Sequence, residues 1–454
     1  MITSSAFAGK RFAVLGLARS GAAVAEALLA SGAEVIAWDR QDVAREPFVG
    51  RCRLIDPLEL DLTGFAGVVV SPGVPLNSHP IGPHAWQYGL PVIGDIELFA
   101  MARPALPPHK VVGITGTNGK STTTALTHHI LQSAGMRSVM GGNIGDPILA
   151  QEPLPEGGVY VLELSSFQID LTFTLDCDVA ALTNITPDHL DRYASFEAYA
   201  AAKDRLFAMQ EQGTALICDE DAPTCAIAAR IEGAGRPLVR VRTGDLAAAG
   251  LAEGRSPSLA GPHNAQNAAL AAAICRQLGL SDDQIARGLA TYPGLPHRME
   301  CVCEAGGVTY INDSKATNTA STAPALAAFP PDQAVSAGAP RIHWICGGLP
   351  KEEGLGACAD HLGNVAAVYT VGEAGPMFAD LLEGQVKVER CELISEAVRR
   401  ARDAARPGEV VLLSPACASY DQFRDYEKRG THFRQMVGAM TGCDTGPDGR
   451  SVLP

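Results

Sequence analysis

The stretch Gly113-Ile114-Thr115-Gly116-Thr117-Asn118-Gly119-Lys120-Ser121-Thr122 decides the fold of this chain. It follows an apolar pair, Val111-Val112, and runs into a segment, 123–127, whose residues suit a helix. A strand, a glycine loop, a Lys-Ser pair and a helix hold nucleotide phosphates, because backbone N–H groups, the helix N-terminus and the lysine all attract anions. The sequence therefore predicts an α/β sheet that carries a phosphate-binding loop for ATP or GTP.

This loop departs from the generic phosphate-loop pattern at one position. The pattern has a glycine five residues before Gly119, but Ile114 stands there and the neighbouring glycines are Gly113 and Gly116. A glycine-rich turn before a helix can also be purely structural, and that alternative remains open at this point. The hydroxyl of Ser121 is suited to holding Mg²⁺ if a nucleotide binds.

The composition is that of an ordinary globular enzyme. A length of 454 residues predicts about three domains. The net charge of −14 argues against a nucleic-acid partner, although an acidic protein can still carry a positive local site. The twelve cysteines include no Cys-x-x-Cys pair, so we expect reduced thiols and a cytoplasmic protein. We expect neither a signal peptide nor a membrane span.

Residues 11–39 predict a strand–helix–strand unit typical of a Rossmann-like domain. The strands are predicted at 11–15 and 34–38, and the helix at 22–30. The turn between them has Ala18 where dinucleotide-binding turns have their middle glycine, which hinders close approach of a pyrophosphate. We therefore favour a nucleotide sugar over NAD at this helix end, with a purely structural unit as the other alternative.

The rest of the chain alternates predicted strands and helices, as in parallel α/β sheets. The proline-rich segment 103–109 predicts a linker, and 295–298 marks a boundary. Ligands of such sheets bind at the carboxyl ends of the strands. Further strands are predicted at 68–70, 159–164, 179–182, 308–311, 343–346, 366–371 and 410–413, and helices at 195–209, with Ser195 as N-cap, and 264–278.

Two polar segments follow predicted strands next to the phosphate loop. Glu163 ends one strand and suits Mg²⁺, which prefers oxygen ligands, although such a glutamate is as often a helix cap or an ion-pair partner. The segment 183–192 follows the next strand and concentrates Asn, Asp, His and Arg side chains. A lone His189 would more often be structural, but this density of polar groups favours a site.

Five motifs together resemble the Mur ligases, the ATP-dependent amino-acid ligases of peptidoglycan synthesis. The segment 412–423 is similar to members that add D-glutamate to UDP-N-acetylmuramoyl-L-alanine, and the Asp-Asn-Pro-Arg motif of diaminopimelate-adding members is absent. The motifs are Gly-Thr-Asn-Gly-Lys-Ser-Thr at 116–122, Glu-Leu-Ser-Ser-Phe-Gln at 163–168, Asn-Ile-x-Pro-Asp-His-Leu-Asp-Arg at 184–192, His-Asn-x-x-Asn at 263–267 and Asn-Asp-Ser-Lys-Ala-Thr-Asn at 312–318.

The resemblance implies an α/β protein of three domains: a Rossmann-like UDP-sugar-binding domain at 1–102, a central ATPase with a parallel sheet at 103–297, and a Rossmann-like amino-acid-binding domain at 298–454. It implies ATP and two Mg²⁺ ions as cofactors, and UDP-N-acetylmuramoyl-L-alanine and D-glutamate as substrates. ATP would phosphorylate the terminal carboxylate, and the amine would attack the resulting acyl phosphate. We expect a monomer with no nucleic-acid or membrane partner, whose last domain closes about a hinge.

The resemblance also implies a role for particular residues. Lys203 matches a lysine that is carbamylated in the family, although the sequence alone favours a solvated helix lysine. The implied catalytic residues are Lys120, Lys203, His189 and Arg298. The implied metal ligands are Ser121, Glu163, His189 and carbamylated Lys203. The implied ATP contacts are Gly116, Thr117, Asn118, Gly119, Lys120, Ser121, Thr122, Asn267, Arg298 and Asp313.

The implied substrate contacts fall into three groups, and departures from the family pattern affect two of them. Tyr426 replaces a phenylalanine beside the glutamate pocket, Arg19 replaces a smaller apolar residue, and the loop before Lys351 lacks an acidic residue and a glycine. The groups are Arg19, Ser20, Asp39, Arg40 and Gly73 for uridine diphosphate; Asn143, Ser165 and Gln168 for the sugar-peptide; and Lys315, Thr317, Lys351, Ser419 and Tyr426 for glutamate.

Two alternative functions are weighed against this one. A folylpolyglutamate synthetase is disfavoured because those relatives begin near the ATPase domain, whereas this chain has an α/β unit before it. A nucleotide sensor that has lost catalysis would show damaged metal or phosphate residues, and the candidate residues are all present.

Overall fold

The computed structural model describes residues 1–189, 191–252 and 254–445 and is built from parallel sheets with helices. The strands are β1 (Arg11–Leu15), β2 (Glu34–Trp38), β3 (Arg53–Leu54), β4 (Gly67–Val70), β5 (Val92–Ile93), β6 (His109–Thr115), β7 (Ser138–Gly142), β8 (Gly158–Glu163), β9 (Val179–Leu182), β10 (Thr214–Cys218), β11 (Leu238–Val241), β12 (Glu300–Ala305), β13 (Val308–Asn312), β14 (Ile342–Gly347), β15 (Val365–Val371), β16 (Lys387–Glu392) and β17 (Val410–Leu413).

The helices lie between these strands. They are α1 (Arg19–Ala30), α2 (Asp42–Arg45), α3 (Ile81–Gln87), α4 (Asp95–Ala102), α5 (Lys120–Ser133), α6 (Ser166–Asp170), α7 (Phe196–Ala208), α8 (Ala222–Gly233), α9 (Asp245–Ala248), α10 (Pro262–Gln277), α11 (Asp282–Thr291), α12 (Thr319–Ala327), α13 (Gln333–Ser336), α14 (Gly375–Leu382), α15 (Ile394–Ala404) and α16 (Tyr426–Thr441). Among the described residues, no helix has the length and apolar character needed to cross a bilayer.

The chain forms two compact units. The first comprises residues 1–245 and 269–285, and the second comprises residues 246–268 and the chain from residue 286 onward. The first unit holds two sheets, with strand orders β3-β2-β1-β4-β5 and β11-β10-β9-β6-β8-β7. All the pairings in these two sheets are parallel. Buried apolar strands such as β4 and β9 are expected where helices cover both faces of a parallel sheet.

The second unit holds one mixed sheet with the order β12-β13-β17-β14-β15-β16. β12 pairs antiparallel with β13, with a register shift between Cys301 and Cys303, and the other pairings are parallel. Apolar clusters pack on both faces of this sheet, one around Trp344 and Phe378 and the other around Tyr369 and Phe433. The antiparallel edge strand β12 was not predicted.

Most predicted elements are confirmed, and the differences lie at their ends. The strands predicted at 11–15, 34–38, 179–182 and 410–413 match exactly, and Ser195 caps α7 by accepting the Ala198 N–H at 3.2 Å. α1 begins at Arg19, three residues earlier than predicted, with the extended Ala18 as its N-cap. The segment predicted as a linker at 103–109 connects α4 to β6, although Arg103–Ala105 forms a 3-10 helix and His109 already begins β6.

Candidate active site

The phosphate loop follows the strand at the centre of the candidate site. β6 lies between β8 and β9 in the sheet of the first unit. The carboxyl ends of these three parallel strands lead into the loop at 116–119, Glu163 and the segment 183–192. The sheet order therefore brings together three segments that the sequence predicted separately.

The loop conformation requires glycine and is held by its neighbours. Gly116 has φ of 144°, and a side chain there would overlap the Thr183 hydroxyl. The N–H of Thr117 donates to the carbonyl oxygen of Asn184 at 2.7 Å, and the N–H of Asn118 donates to the Asn184 side-chain oxygen at 2.9 Å. Asn184 thus braces the loop, although the sequence had suggested no specific role for it.

Two lysines converge on one carbonyl oxygen of this loop. The Nζ of Lys120 donates to Gly116 O at 3.0 Å, and the Nζ of Lys203, from α7, donates to the same oxygen at 2.7 Å. The Lys203 side chain is buried, so the alternative of a solvated helix lysine is wrong. Burial, followed by the charge of Lys120, lowers the pKa of Lys203 to about 7. This amine is therefore far easier to deprotonate than an exposed lysine.

Glu163 is a buried carboxylate with one unused oxygen. Its Oε1 accepts a hydrogen bond from the side chain of Asn143 at 2.9 Å, whereas its Oε2 has no hydrogen-bond partner among the described residues. A buried carboxylate oxygen without a partner is costly unless a cation or donor binds it. Glu163 therefore fits a divalent cation.

The described part of the chain contains no group of three His, Cys, Asp or Glu side chains arranged to hold a metal. The predicted ligand set does not need such a group, because only Glu163 and His189 belong to those types. Ser121 lies in the first turn of α5 and Lys203 lies in α7. A carbamate on Lys203 would supply the additional anionic oxygens that Mg²⁺ prefers.

His189 lies on a strained part of its loop. Its φ is 53°, its ring packs 4.9 Å from the ring of Phe167, and its Nε2 lies 3.6 Å from a carboxylate oxygen of Asp188. A left-handed conformation is uncommon for a residue other than glycine and is found where the surroundings enforce it. Leu190, part of the same motif, lies outside the described residues.

The predicted uridine site also lies at strand ends, here of β1, β2 and β4. Asp39 accepts the N–H of Leu17 at 2.7 Å and the N–H of Gln41 at 2.9 Å, which fixes the turn before α1. Arg19 donates to the carbonyl oxygen of Gly145 at 3.0 Å. Ser20 is half-buried in the first turn of α1, and Arg40 and Gly73 are exposed. The three strands are adjacent, so their loops lie at one edge of the sheet.

Two of the three residues predicted to hold the sugar-peptide form a helix cap, and the third, Asn143, donates to Glu163. Ser165 caps α6 and exchanges hydrogen bonds with Gln168, which is itself buried. The side chain of Gln168 faces Asp95 of α4 and lowers its pKa, but burial is the larger influence and raises that pKa to about 6. Neither carboxylate oxygen of Asp95 has a partner of normal hydrogen-bond geometry within the described chain.

Three predicted ATP contacts lie in the second unit. Asn267 is buried in α10, and its side-chain amide donates to Asn264 at 3.1 Å. Asp313 follows β13, where it accepts the N–H of Met299 at 3.1 Å and the hydroxyl of Ser414 at 2.8 Å. Burial raises the pKa of Asp313 to about 7, and the positive charge of Arg298 partly opposes this rise.

The predicted glutamate contacts come together in two pairs within the second unit. The Nζ of Lys351 donates to the Thr317 hydroxyl at 2.9 Å, and the Nζ of Lys315 lies 5.7 Å from the centre of the Tyr426 ring. The hydroxyl of Tyr426 donates to Glu427 at 3.3 Å. Ser419 is buried and follows Ala418, which pairs with Leu349. These loops follow β13, β14 and β17, which are neighbours in the sheet.

Comparison with known proteins identifies the family. The Mur ligase middle domain matches residues 114–275, and the Mur ligase glutamate ligase domain matches residues 297–417. The UDP-N-acetylmuramoylalanine--D-glutamate ligase of Novosphingobium aromaticivorans is 60% identical over 442 residues, which cover 97% of each chain. This chain belongs to the Mur ligase family. The enzymes of the same name from Sphingopyxis alaskensis and Zymomonas mobilis are 59% and 52% identical to this Mur ligase, over 97% of its length and the whole of theirs.

Solved Mur ligase structures share the fold at much lower identity. The UDP-N-acetylmuramate-alanine ligase of Thermotoga maritima is 18% identical with a TM-score of 0.54, covering 95% of this chain and 99% of the other. A UDP-N-acetylmuramoyl-L-alanyl-D-glutamate--2,6-diaminopimelate ligase is 18% identical with a TM-score of 0.57, covering 96% and 94%. The three-sheet α/β architecture of this Mur ligase is therefore the fold of these enzymes.

Two buried residues of the candidate site were not predicted from the sequence. Tyr199 contacts the Thr117 hydroxyl at 3.1 Å, and its ring lies 4.4 Å from the Nζ of Lys203. Its position four residues before Lys203 on α7 could have suggested this contact, since such residues share a helix face.

The second missed residue is Arg429, which is fully buried in α16. Its guanidinium donates to the carbonyl oxygens of Ser314, Cys417 and Ala418 at 2.8 to 3.1 Å. It therefore ties the loop that carries Lys315 to the loop that carries Ser419. Burial lowers the pKa of Arg429 to about 10. An arginine in an amphipathic helix gives no sequence signal that distinguishes this role from a solvated one.

Proposed function

We propose that this Mur ligase joins D-glutamate to UDP-N-acetylmuramoyl-L-alanine in peptidoglycan precursor synthesis and converts ATP to ADP and phosphate. The observation that carries this proposal is the 60% identity to a UDP-N-acetylmuramoylalanine--D-glutamate ligase across 97% of both chains. The similarity extends over 97% of both chains and is not confined to one domain. It therefore supports a shared reaction as well as a shared fold.

The reaction requires activation of a carboxylate. An oxygen of the alanine carboxylate attacks the γ-phosphorus of ATP, the bond to the β-phosphate oxygen breaks, and ADP leaves. The glutamate amine, having lost a proton, attacks the resulting acyl phosphate, and the tetrahedral adduct expels phosphate to form an amide. Because the phosphoryl oxygens carry most of the charge, catalysis depends mainly on positioning and on neutralising that charge.

The phosphate groups would be held by the loop that follows β6. The backbone at Gly116, Thr117, Asn118 and Gly119 would donate to phosphate oxygens, and Lys120 would contact the β- and γ-phosphates. The Nζ of Lys120 donates to two carbonyl oxygens of this same loop. Only the lysine side chain would therefore need to turn to contact a nucleotide. Thr122, in the first turn of α5, completes this anion site. Arg298 would neutralise the transferring phosphoryl group, while Asn267 and Asp313 would hold the base and ribose.

Mg²⁺ would be held by Ser121, Glu163, His189 and the carbamylated Lys203, and we propose two ions. When bound, these ions would neutralise phosphate charge and orient the phosphoryl group. The unused Oε2 of Glu163 and the lowered pKa of Lys203 support this proposal. A neutral amine is the form that reacts with carbon dioxide, so the buried Lys203 is suited to becoming a carbamate.

The substrates would be bound at the strand ends of the first and last sheets. Uridine diphosphate would lie against the N-terminus of α1, where backbone N–H groups favour anions. The glutamate carboxylates would meet cationic and hydroxyl donors, which suit a dicarboxylic amino acid. The uridine contacts proposed are Arg19, Ser20, Asp39, Arg40 and Gly73; the sugar-peptide contacts are Asn143, Ser165 and Gln168; the glutamate contacts are Lys315, Thr317, Lys351, Ser419 and Tyr426.

We further propose that the enzyme is a cytoplasmic monomer with domains at 1–102, 103–297 and 298–454. The matched middle domain, 114–275, falls within the second of these ranges. The matched glutamate ligase domain, 297–417, falls within the third apart from its first residue, and both matches support the division.

Phosphate release from ATP tests the proposed function. The purified enzyme is supplied with Mg²⁺, UDP-N-acetylmuramoyl-L-alanine and a panel of amino acids that includes both enantiomers of glutamate. Release that depends on D-glutamate, with a product heavier by one glutamyl residue, is expected. Release with L-glutamate or another amino acid instead would overturn the assigned substrate, and no release with any amino acid would overturn the ligase proposal.

A further inference from the structure

The turn that carries Arg298 has an unusual backbone. Leu295 accepts the N–H of Arg298 at 3.0 Å, with Pro296 and His297 between them. His297 has φ of 63°, and Met299 has φ of 44°. In a turn with proline second, the third position normally takes glycine when its φ is positive. Arg298 is thus flanked by two left-handed residues with side chains, a conformation that persists only where the surroundings enforce it.

A buried carboxylate holds the first of these two residues. The Oε2 of Glu300 accepts the N–H of His297 at 2.9 Å and the side-chain amide of Asn312 at 2.9 Å. The second left-handed residue, Met299, donates its N–H to Asp313 at 3.1 Å. Both sides of Arg298 are therefore fixed by carboxylate oxygens, and both carboxylates are buried.

Arg434 of helix α16 forms an ion pair with Glu300. The Nη2 of Arg434 lies 2.8 Å from one carboxylate oxygen of Glu300 and 3.1 Å from the other. One turn earlier, Gly430 leaves room for the His297 ring, which a side chain at this position would overlap. The Nε of Arg434 has no partner among the described residues, so the guanidinium is not optimally satisfied by this contact. A buried ion pair of this kind is weak evidence for stability alone.

Of residues 297–300, only Arg298 is not fully buried. His297, Met299 and Glu300 are 8%, 6% and 5% exposed, whereas Arg298 between them is half-buried. Its charge acts on Asp313 and Tyr426, which are candidate contacts for ATP and glutamate. Glu300, Asp313 and Arg434 thus form a clamp on the backbone on both sides of Arg298, which limits where its guanidinium can reach.

We propose that Glu300 and Arg434 are positioning residues: Glu300 holds the left-handed turn at His297, and Arg434 holds Glu300, so that Arg298 faces the transferring phosphoryl group. This inference rests on the proposed function. Neither residue contacts the reacting atoms. Misplacing Arg298 removes an interaction made in the transition state, so it lowers kcat more than it changes the KM for ATP.

Two double variants test the clamp without leaving an unpaired buried charge. Glu300→Leu with Arg434→Met removes both the ion pair and the acceptor for the His297 N–H. Glu300→Gln with Arg434→Met removes the same charges but keeps a carbonyl oxygen as acceptor. We expect kcat at saturating ATP to fall at least tenfold in the first variant and less than threefold in the second, with the KM for ATP within threefold of wild type in both.

Thermal unfolding and kcat are measured for each variant. The control is the double variant Glu396→Leu with Arg400→Met, which removes another glutamate–arginine pair, on α15, whose hydrogen bond is 2.6 Å long. An equal kcat in both double variants, whether lowered or not, would overturn the proposal. If the first variant does not fold, the comparison is made between Arg434→Met and Arg434→Lys. The lysine variant keeps the ion pair with Glu300 and should retain kcat, whereas the methionine variant should lose it. Equal losses of kcat in these two variants would contradict the clamp. A wild-type enzyme that forms no product would instead refute the proposed function.

Discussion

Lys203 shows, at the scale of one residue, how burial changes what a side chain can do. An exposed lysine is protonated at neutral pH and repels a metal ion. The buried Lys203 shares a carbonyl oxygen with Lys120, and its pKa falls to about 7. Above that pH the amine is neutral and nucleophilic, and below it the amine is protonated. The chemistry proposed for Lys203 thus follows from where α7 places it.

Carbamylation of Lys203 should follow this pKa. With ¹³C-bicarbonate, the wild-type enzyme should show a carbamate signal by ¹³C NMR at pH 8 that is strongly reduced at pH 6. Lys203→Ala should lack the signal, and Lys110→Ala, at an exposed lysine, should retain it. Lys203→Ala should also lose at least 100-fold in kcat, with partial rescue by small carboxylates at high concentration. Full activity of Lys203→Ala without additives would refute the carbamate.

Asp95 should make the first unit less stable as pH rises. Its pKa is raised from the ordinary value of 3.8 to about 6, because burial penalises the carboxylate. The folded state therefore binds this proton more tightly than the unfolded state does. The resulting stabilisation is full below about pH 4 and is lost as the pH rises through about 6. Relative to wild type, Asp95→Asn should gain about 3 kcal/mol at pH 8 and about 1.5 kcal/mol at pH 5.

Urea unfolding at the two pH values measures this difference. Glu156→Gln, at an exposed carboxylate of the same unit, should show no such pH dependence. A gain in Asp95→Asn that is equal at both pH values would mean that Asp95 is not the titrating group.

At the scale of the element, the sequence predicts well where the strands lie but predicts poorly which strands pair with each other. The buried apolar runs of β1, β9 and β17 were located exactly, because a continuous apolar run bounded by polar loops is a local pattern. The order that places β6 between β8 and β9 depends on pairings between distant segments. The motifs therefore gave the candidate residues, but the sheet order showed which of them meet.

Contacts that depend on burial were harder still to predict. Arg429 and the Glu300–Arg434 pair lie in or against α16, whose sequence is rich in charged residues. Charged residues in a helix usually face solvent, and only the packing of α16 on its sheet reveals that these do not. The 3-10 helix inside the predicted linker was not predicted, because a proline in a connecting segment does not show whether the segment forms a 3-10 turn.

The phosphate loop should tolerate no side chain at Gly116. A Cβ at this position would overlap the Thr183 hydroxyl, and φ of 144° disfavours any residue other than glycine. Gly116→Ala should weaken ATP binding at least 100-fold by calorimetry. Gly82→Ala, at a helical glycine with open space around it, is the matched control and should bind ATP within twofold of wild type. Equal ATP affinity in both variants would contradict the role of this loop.

At the scale of the whole molecule, the proposed reaction uses residues from both compact units. Lys120, Glu163 and Lys203 belong to the first unit, and Arg298 and Asp313 belong to the second. We predict that the last domain closes during the reaction. Small-angle X-ray scattering should show a smaller radius of gyration with ATP analogue, Mg²⁺ and UDP-N-acetylmuramoyl-L-alanine than without them. An unchanged radius with all ligands bound would refute hinge closure.

In the proposed reaction, ATP activates the alanine carboxylate of the substrate for attack by D-glutamate. Substrate labelled with ¹⁸O in both carboxylate oxygens tests it, with mass spectrometry of the phosphate and of the product. We expect one ¹⁸O atom in the released phosphate and one in the new amide for every D-glutamate joined. Released phosphate without ¹⁸O would contradict it, because the γ-phosphate would then have been transferred to water and not to the carboxylate.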